Sequence, residues 1–387
     1  MESPSLAGMR VLVLTSGHEA LDARVYGREA KSVAAMGACV TVVGKMTRGT
    51  PGAVEVLPIP PASSRLTRFL LQPWRCLWRA RKLSPDVVHF HDAEMLAILP
   101  VARLVWSKAK FVYDVHEDFA NLMLTRDWLP GGLKPLVRAL TDRCERALAR
   151  LAHGIVAVTP PLALKFPHRY KVAALNFPTP DFFETADQVV RPAGQRTHDL
   201  VHLGTLSRRR ATFLVEVIEE LNRRRPGTRI LVVGTSADII DFLRDRVPRD
   251  CQLRGAIAHA EVAELLCDAK VGIDVHPWRQ PHLEPALAVK ICEYMACGCS
   301  VVASSMPVLE GILSGAGRRP PGIATIPGGE PKEYADAVLG MLAAIDAGDD
   351  PGDALRAFAR HHMNWLSEAS RIGSLYRSLV NGTSCAA

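Results

Sequence analysis

RVLVLTSGHEALDARVYGREAKSVAAMGACVTVV, residues 10–43, contains one complete strand–loop–helix–strand unit. Val11–Leu12–Val13–Leu14 is an unbroken apolar run, as a parallel strand covered on both faces requires. The polar loop TSGHEALD (15–22) follows, then a helical stretch from about Ala23 to Met36. Asp22 is placed to cap that helix and Gly37 to end it. Val40 to Val43 forms the next strand. The unit recurs outward along the chain: DVVHF (86–90), KFVYDV (110–115) and GIVAV (154–158) are strands followed by polar or helical residues. A second series restarts at Asp199 with LVHLG, followed by a helix with apolar positions at Leu214, Val217, Ile218 and Leu221. It continues through RILVVG (229–234), the helix AELLCDA (263–269), VGIDV (271–275) and VVAS (301–304). Strands alternating with helices give parallel sheets.

The chain is therefore read as α/β, with two Rossmann-like domains over about 1–190 and 191–362. A last helix, about 363–380, packs back on the first domain. ETADQVVRPAGQRTHD (184–199) is polar and without periodicity and reads as the linker. Ligands of such sheets bind outside the carboxyl ends of the strands. Two domains with those ends facing across a cleft would place the chemistry in the loops after the strands.

The 387 residues, 48% hydrophobic and 22% charged, suit about two domains. A formal charge of +7 fits anionic partners, among them a nucleotide diphosphate, nucleic acid or an acidic lipid surface. Nine cysteines, at 39, 76, 144, 251, 267, 292, 297, 299 and 385, have neither zinc spacing nor an even count. They read as small buried thiols of a reducing cytoplasm. The apolar run near the N-terminus is too short for a signal segment, and no run approaches the length of a membrane span.

The strongest local signal is AVKICEYMACGCSVVAS (288–304). Lys290 and Glu293 are three apart and share a helix face. A buried glutamate accepting from vicinal hydroxyls can hold a ribose, and a lysine near a helix N-terminus can meet a phosphate. The alternative is an ordinary Lys–Glu helix pair. This segment resembles the K-x-x-E-Y-M-A-x-G-x-x-V-V-A-S pattern of glycosyltransferase family 4, the retaining GT-B group. SGHEALDARVYGREAKSVAAMGACVTVV, DVVHFHDAEMLAI, FVYDVHEDF and VHLGTLSRRRA resemble further units of the same family, in order along the chain.

The resemblance implies transfer of a sugar from a nucleotide-sugar donor to an acceptor hydroxyl on a glycan, glycolipid or secondary-metabolite aglycone. It implies that Glu293 binds the ribose, that Lys290 lies near the diphosphate or donor sugar, and that Arg210, with Arg208 beside it, neutralises the diphosphate. Gly17 would let backbone approach the phosphates, and His116 would line the donor sugar. The family pattern places a second glutamate where Pro285 stands here, leaving Glu284 one residue off, to bind the donor sugar through a bulge of the Pro-containing loop; Thr205 stands where many relatives have arginine. No metal or other cofactor is expected, since the nucleotide sugar is itself a substrate and no D-x-D follows a strand. His89 and His91 alternate on one strand and could share a metal, but without a third ligand at a recognisable spacing they read as cleft-lining or hydrogen-bonded residues.

RLTRFLLQPWRCLWRARK (65–82) has six Lys or Arg, no acid and two tryptophans. Two readings stand: a basic amphipathic helix in contact with an anionic membrane interface, or a domain helix packing its tryptophans on the sheet. The chain is accordingly placed in the cytoplasm, at the inner face of the cell membrane under the first reading. Two other functions compete. A GT-B sugar-nucleotide epimerase or hydrolase would need acid and base carboxylates beside the sugar, for which Glu117 and Asp118 are the spare acids. A nucleic-acid-binding protein would need an aromatic stacking platform among its basic residues, and none is seen.

Overall fold

The structure is a computed structural model that describes residues 4–47, 49–276, 278 and 280–382; Cys385 lies outside them. The chain divides into two compact units: Met1–Asn176 with Pro281–Ala286 and Trp365–Ala387, and Phe177–Gln280 with Leu287–Asn364.

The N-terminal unit is built on seven strands: β1 Arg10–Glu19, β2 Cys39–Lys45, β3 Glu55–Ile59, β4 Val87–His91, β5 Lys110–Val115, β6 Gly154–Ala157 and β7 Lys171–Ala173. All pair in parallel, in the order β3-β2-β1-β4-β5-β6-β7. Side chains alternate across the sheet, so Leu12 and Leu14 enter one core with Val88, Phe90 and Phe111, while Val11 and Val13 enter another with Val87 and Val112. The second core is closed by the helix Trp365–Asn381, whose Trp365, Ile372, Leu375 and Tyr376 are buried in it. Asp22 caps the first helical stretch, its carboxylate accepting from the amides of Arg24 and Val25. That stretch opens as a wide π-turn over Ala23–Ala30 before becoming α-helical at Lys31.

The C-terminal unit has six parallel strands: β8 His198–Leu203, β9 Ile230–Val233, β10 Gln252–Arg254, β11 Ala269–Asp274, β12 Ser300–Ser304 and β13 Ile323–Ile326. Their order is β10-β9-β8-β11-β12-β13. In each sheet the strand order reverses beside the first strand, at β1/β4 and at β8/β11. A crevice opens at such a switch point because the loops on its two sides run to opposite faces.

Three expectations are corrected. The supposed linker 184–199 is largely structured: a helix runs Pro180–Val189, with Phe182, Phe183 and Ala186 buried. Thr179 caps it and Pro180 starts it, just upstream of the polar stretch that concealed it. The helix Arg65–Ala80 continues through Pro73 and buries Gln72, Cys76, Leu77 and Ala80, not its tryptophans. Trp74 and Trp78 are 42% and 61% exposed, so they do not pack on the sheet. Among the cysteines, Cys39 and Cys144 are exposed; those described are all free thiols. No helix among the described residues is long and apolar enough to cross a membrane.

Candidate functional site

In the C-terminal unit the switch point between β8 and β11 gathers charge. Asp274 ends β11 fully buried. Its Oδ1 lies 3.2 Å from Lys290 Nζ and its Oδ2 2.8 Å from His276 Nδ1. His276 Nε2 lies 2.6 Å from Arg210 Nη1, and Arg210 Nη2 donates to the Thr205 carbonyl at 2.8 Å. A guanidinium can only donate, so His276 accepts at Nε2 and carries its proton on Nδ1, which it donates to Asp274. The imidazole thus fixes the arginine against the carboxylate. The His276 amide donates to Ser304 Oγ at 2.6 Å, which holds the loop after β11 to the end of β12.

Local sequence explains this placement. Lys290 and Glu293 lie on the helix Val289–Ala296, one turn apart. Arg210 is in the first turn of the helix Arg208–Arg224, capped by the Ser207 side chain. Gly204 and Gly234 end β8 and β9 at φ 96° and 88°; a β-carbon on Gly234 would lie 3.0 Å from Gly204 Cα. Only glycine lets these loops pack so closely. Burial disfavours a charge on Asp274, but Lys290 and His276 outweigh it and hold the carboxyl well below the usual range. Burial also pulls Lys290 down, against Asp274, and pulls Arg210 down. His202, buried beside Lys290 with Nε2 3.4 Å from Nζ, is pushed well below the ordinary histidine value by burial and by that cation.

Glu293 is buried, with Oε1 3.1 Å from His259 Nε2. Of the expected residues, Arg210 and Lys290 meet around the Asp274–His276 pair, and Glu293 follows Lys290 on the same helix. Arg208 is exposed, its guanidinium stacked 4.2 Å over the Phe242 ring. Glu284 is exposed in Pro281–Ala286, a segment that groups with the N-terminal unit.

In the N-terminal unit, Gly17 and His116 line a hollow of about 370 Å³ at the β1/β4 switch, with His18, Arg68, Asp92 and Phe119. Asp92 adopts φ 75°, a strained value for a side-chain-bearing residue, held by donors from Thr15 Oγ1 and the amides of Ser16 and Gly17 at 2.7–2.9 Å. The Gly17 amide is therefore engaged by Asp92. A β-carbon at Gly17 would lie 2.3 Å from Arg68 Nη2, which can swing away, and 2.7 Å from the buried Asp92 Oδ1, which is held in place, so the fixed carboxylate favours glycine here. His18 Nδ1 sits 2.7 Å from Asp92 Oδ1; burial opposes its charge, yet Asp92 keeps the imidazole above the usual range. His116 Nε2 is 2.9 Å from His91 Nδ1. Burial raises the Glu117 carboxyl in this wall, whereas Asp118 is bound to Asn121 and Lys165.

Residues 197–344 match the family model for glycosyl transferases group 1, and residues 23–176 match that for Glycosyltransferase Family 4. The chain belongs to the group 1/family 4 glycosyltransferases. Among solved structures it is similar to sucrose-phosphate synthase from Thermosynechococcus elongatus, at 16% identity over 97% of this chain and 100% of that one, with TM-score 0.71. It is similar to Anabaena HepE in complex with UDP-glucose, at 16% identity over 96% and 100%, with TM-score 0.65. A Rickettsia africae glycosyltransferase gives 14% identity over 97% and 99%, with TM-score 0.64. At these identities the likeness is one of fold, and the fold is that of GT-B glycosyltransferases. No curated protein matches the chain.

Asp274 and His276 were not singled out from the sequence, where VGIDV reads only as a strand. The signal present was an acid closing a buried apolar run, followed two residues later by a histidine. Glu29 and Asp114, which stand beside His89 and His91, were likewise missed because they come from a different helix and strand.

Proposed function

We propose that this glycosyltransferase is a retaining, metal-independent hexosyltransferase that takes its donor from a nucleoside diphosphate sugar. The observation that carries the reading is the excess of cation at the β8/β11 switch: Arg210 and Lys290 face one carboxylate, Asp274. As the glycosidic bond breaks, the departing diphosphate gains charge, and cations already fixed in place stabilise that charge most in the transition state. Glu293 would accept from the ribose hydroxyls. His116 would face the donor sugar, and Gly17 would keep the β1 loop close to it. The acceptor hydroxyl would attack on the side the diphosphate leaves, with a phosphate oxygen taking its proton. Arg208 is a poorer phosphate ligand on this reading, since it is stacked on Phe242.

The test is a thermal-shift panel of nucleoside diphosphates on the intact chain. A native-state ligand raises the melting point in proportion to the logarithm of its concentration over Kd. HepE was solved with UDP-glucose and with UDP, which makes UDP the first member of the panel. No shift with any member, and no release of diphosphate from any nucleotide sugar, would reject the reading.

The exposed Leu66, Phe69, Leu70, Trp74 and Trp78 on an acid-free, arginine-rich helix also favour peripheral contact with an anionic membrane, consistent with a cytoplasmic enzyme at the inner membrane face. Sedimentation with anionic liposomes should fade with salt and with Trp78→Glu. Equal recovery in the supernatant with and without liposomes would end that part.

A further inference from the structure

Against the N-terminal sheet lies a polar cluster that the donor chemistry does not use. Glu29 comes from the helical stretch Ala23–Ala30, His89 and His91 from β4, and Asp114 from β5; none is more than 1% exposed. The two histidines alternate on one strand, with ring centroids 4.7 Å apart. One nitrogen of each is engaged. His89 Nδ1 lies 2.6 Å from the Tyr376 hydroxyl, and His91 Nδ1 lies 2.9 Å from His116 Nε2 and 3.3 Å from Asp114 Oδ2. The other nitrogens, His89 Nε2 and His91 Nε2, have no hydrogen-bond partner among the described residues, and neither has Glu29 Oε2. Glu29 Oε2 stands 3.5 Å from His91 Nε2 and 3.5 Å from His89 Nδ1. One ligand atom from each of the four residues falls within 4.8 Å of the others.

Three buried polar atoms without a hydrogen-bond partner are costly unless something joins them. The 3.5 Å gap is too long for a good hydrogen bond. It is close to the edge, about 3.4 Å, of a tetrahedron of ligands at zinc–nitrogen and zinc–oxygen bond lengths of about 2.1 Å. The second nitrogens fit the same picture. A metal-ligating histidine characteristically has its other nitrogen held by a carboxylate or another polar group, which sets the ring and tautomer. Asp114 supplies that partner to His91 at Nδ1, while on His89 it is Nδ1, beside the Tyr376 hydroxyl, that faces Glu29. Arg24, 2.9 Å from Asp114 Oδ2 and 2.8 Å from Glu29 Oε1, balances Asp114 and leaves Glu29 Oε2 to the site.

We propose that Glu29, His89 and His91, backed by Asp114, form a closed site for a divalent ion of the zinc class. Two imidazoles and carboxylate oxygen are the ligand types such ions take, and full burial, which keeps substrate from the ion, assigns the site a structural and not a catalytic role. The ion would tie the first helix, β4, β5 and, through Tyr376, the C-terminal helix to one point. Burial and the neighbouring Asp114 otherwise raise the Glu29 carboxyl well above its usual range, so binding would displace a proton from it. The inference does not depend on the proposed diphosphate contacts of Arg210 and Lys290, although His116 touches both His91 and Asp114.

The test uses the intact chain, isolated from zinc-supplemented and cobalt-supplemented cells and freed of loose metal. Mass spectrometry should find about one ion per chain. The cobalt form should show tetrahedral ligand-field bands, and the melting point should fall when the ion is stripped. His91→Gln and Glu29→Gln should each bring bound metal to background. Should one variant fail to fold, X-ray absorption on the wild type should still give only nitrogen and oxygen neighbours at about 2.0–2.1 Å, imidazole among them. A wild-type chain that melts cooperatively with no ion bound, its Glu29 proton shared with Asp114 instead, overturns the site. So does a folded His91→Gln variant that keeps its full metal content, which would put the ion elsewhere, for example at the surface pair His361 and His362.

Discussion

The Glu29 cluster of the N-terminal unit and the Asp274 cluster of the C-terminal unit both lie against strand ends or faces of a parallel sheet, yet their charges balance in opposite senses. Around Glu29, two carboxylates and two imidazoles meet a single guanidinium in complete burial. Around Asp274, a lysine and a partly exposed arginine meet a single carboxylate. The first arrangement accepts a proton or a cation, whereas the second is completed by an anion. Burial decides the role of each. A closed cluster can serve only the fold, while a cluster with an accessible arm can take a substrate.

The sharpest way to break this comparison is to remove each guanidinium. Arg24→Met leaves Asp114 buried without its guanidinium, with only His91 and His116 beside it, and should cost about 3–5 kcal/mol of stability, read as a lower urea midpoint. Unchanged stability would mean that the closed cluster is not structural. Arg210→Ala should behave in reverse: turnover should drop about 100- to 1,000-fold, the cost of losing about 2.7–4 kcal/mol of transition-state stabilisation, with the melting point nearly retained. An unfolded Arg210→Ala, or one of wild-type activity, would erase the distinction. Glu293→Gln sharpens the substrate side. Replacing a charged acceptor should weaken donor binding by about 1.5–3 kcal/mol, seen in KM or Kd more than in kcat.

The smallest effect concerns pH. His202 is held neutral by burial beside Lys290, with its folded value below the ordinary 6.5. The unfolded chain then binds this proton more readily than the folded one, so the contribution is full above the ordinary 6.5 and is lost as pH falls from there toward the lower folded value. Melting curves from neutral to mildly acid pH should decline less steeply for His202→Gln than for wild type; parallel curves would remove His202 from the account.

Much of this was legible in the residues. Val11–Leu14 announces a doubly covered strand, and Asp22 names the helix start by its capping chemistry. Lys290 and Glu293 could be paired because helical spacing is local. Asp274 and His276 could not, since their meaning arises only when the β8/β11 switch brings Arg210 to them. Glu29 and Asp114 escaped for the same reason: they reach His89 and His91 through sheet pairing, which leaves no spacing signature. One of the two readings of 65–82 turned its tryptophans inward, as aromatic residues often are, but Gln72, Cys76 and Ala80 take the buried face instead.

The helix Trp365–Asn381 has a consequence for the order of events at synthesis. It supplies the Trp365 indole to Ser32 at 2.8 Å and sets Leu375 and Leu379 against Gly154 on β6. The sheet made first on the ribosome thus lacks a wall until residues beyond the whole second unit have left the exit tunnel. The packing of the first unit is therefore completed only by residues translated after the whole of the second.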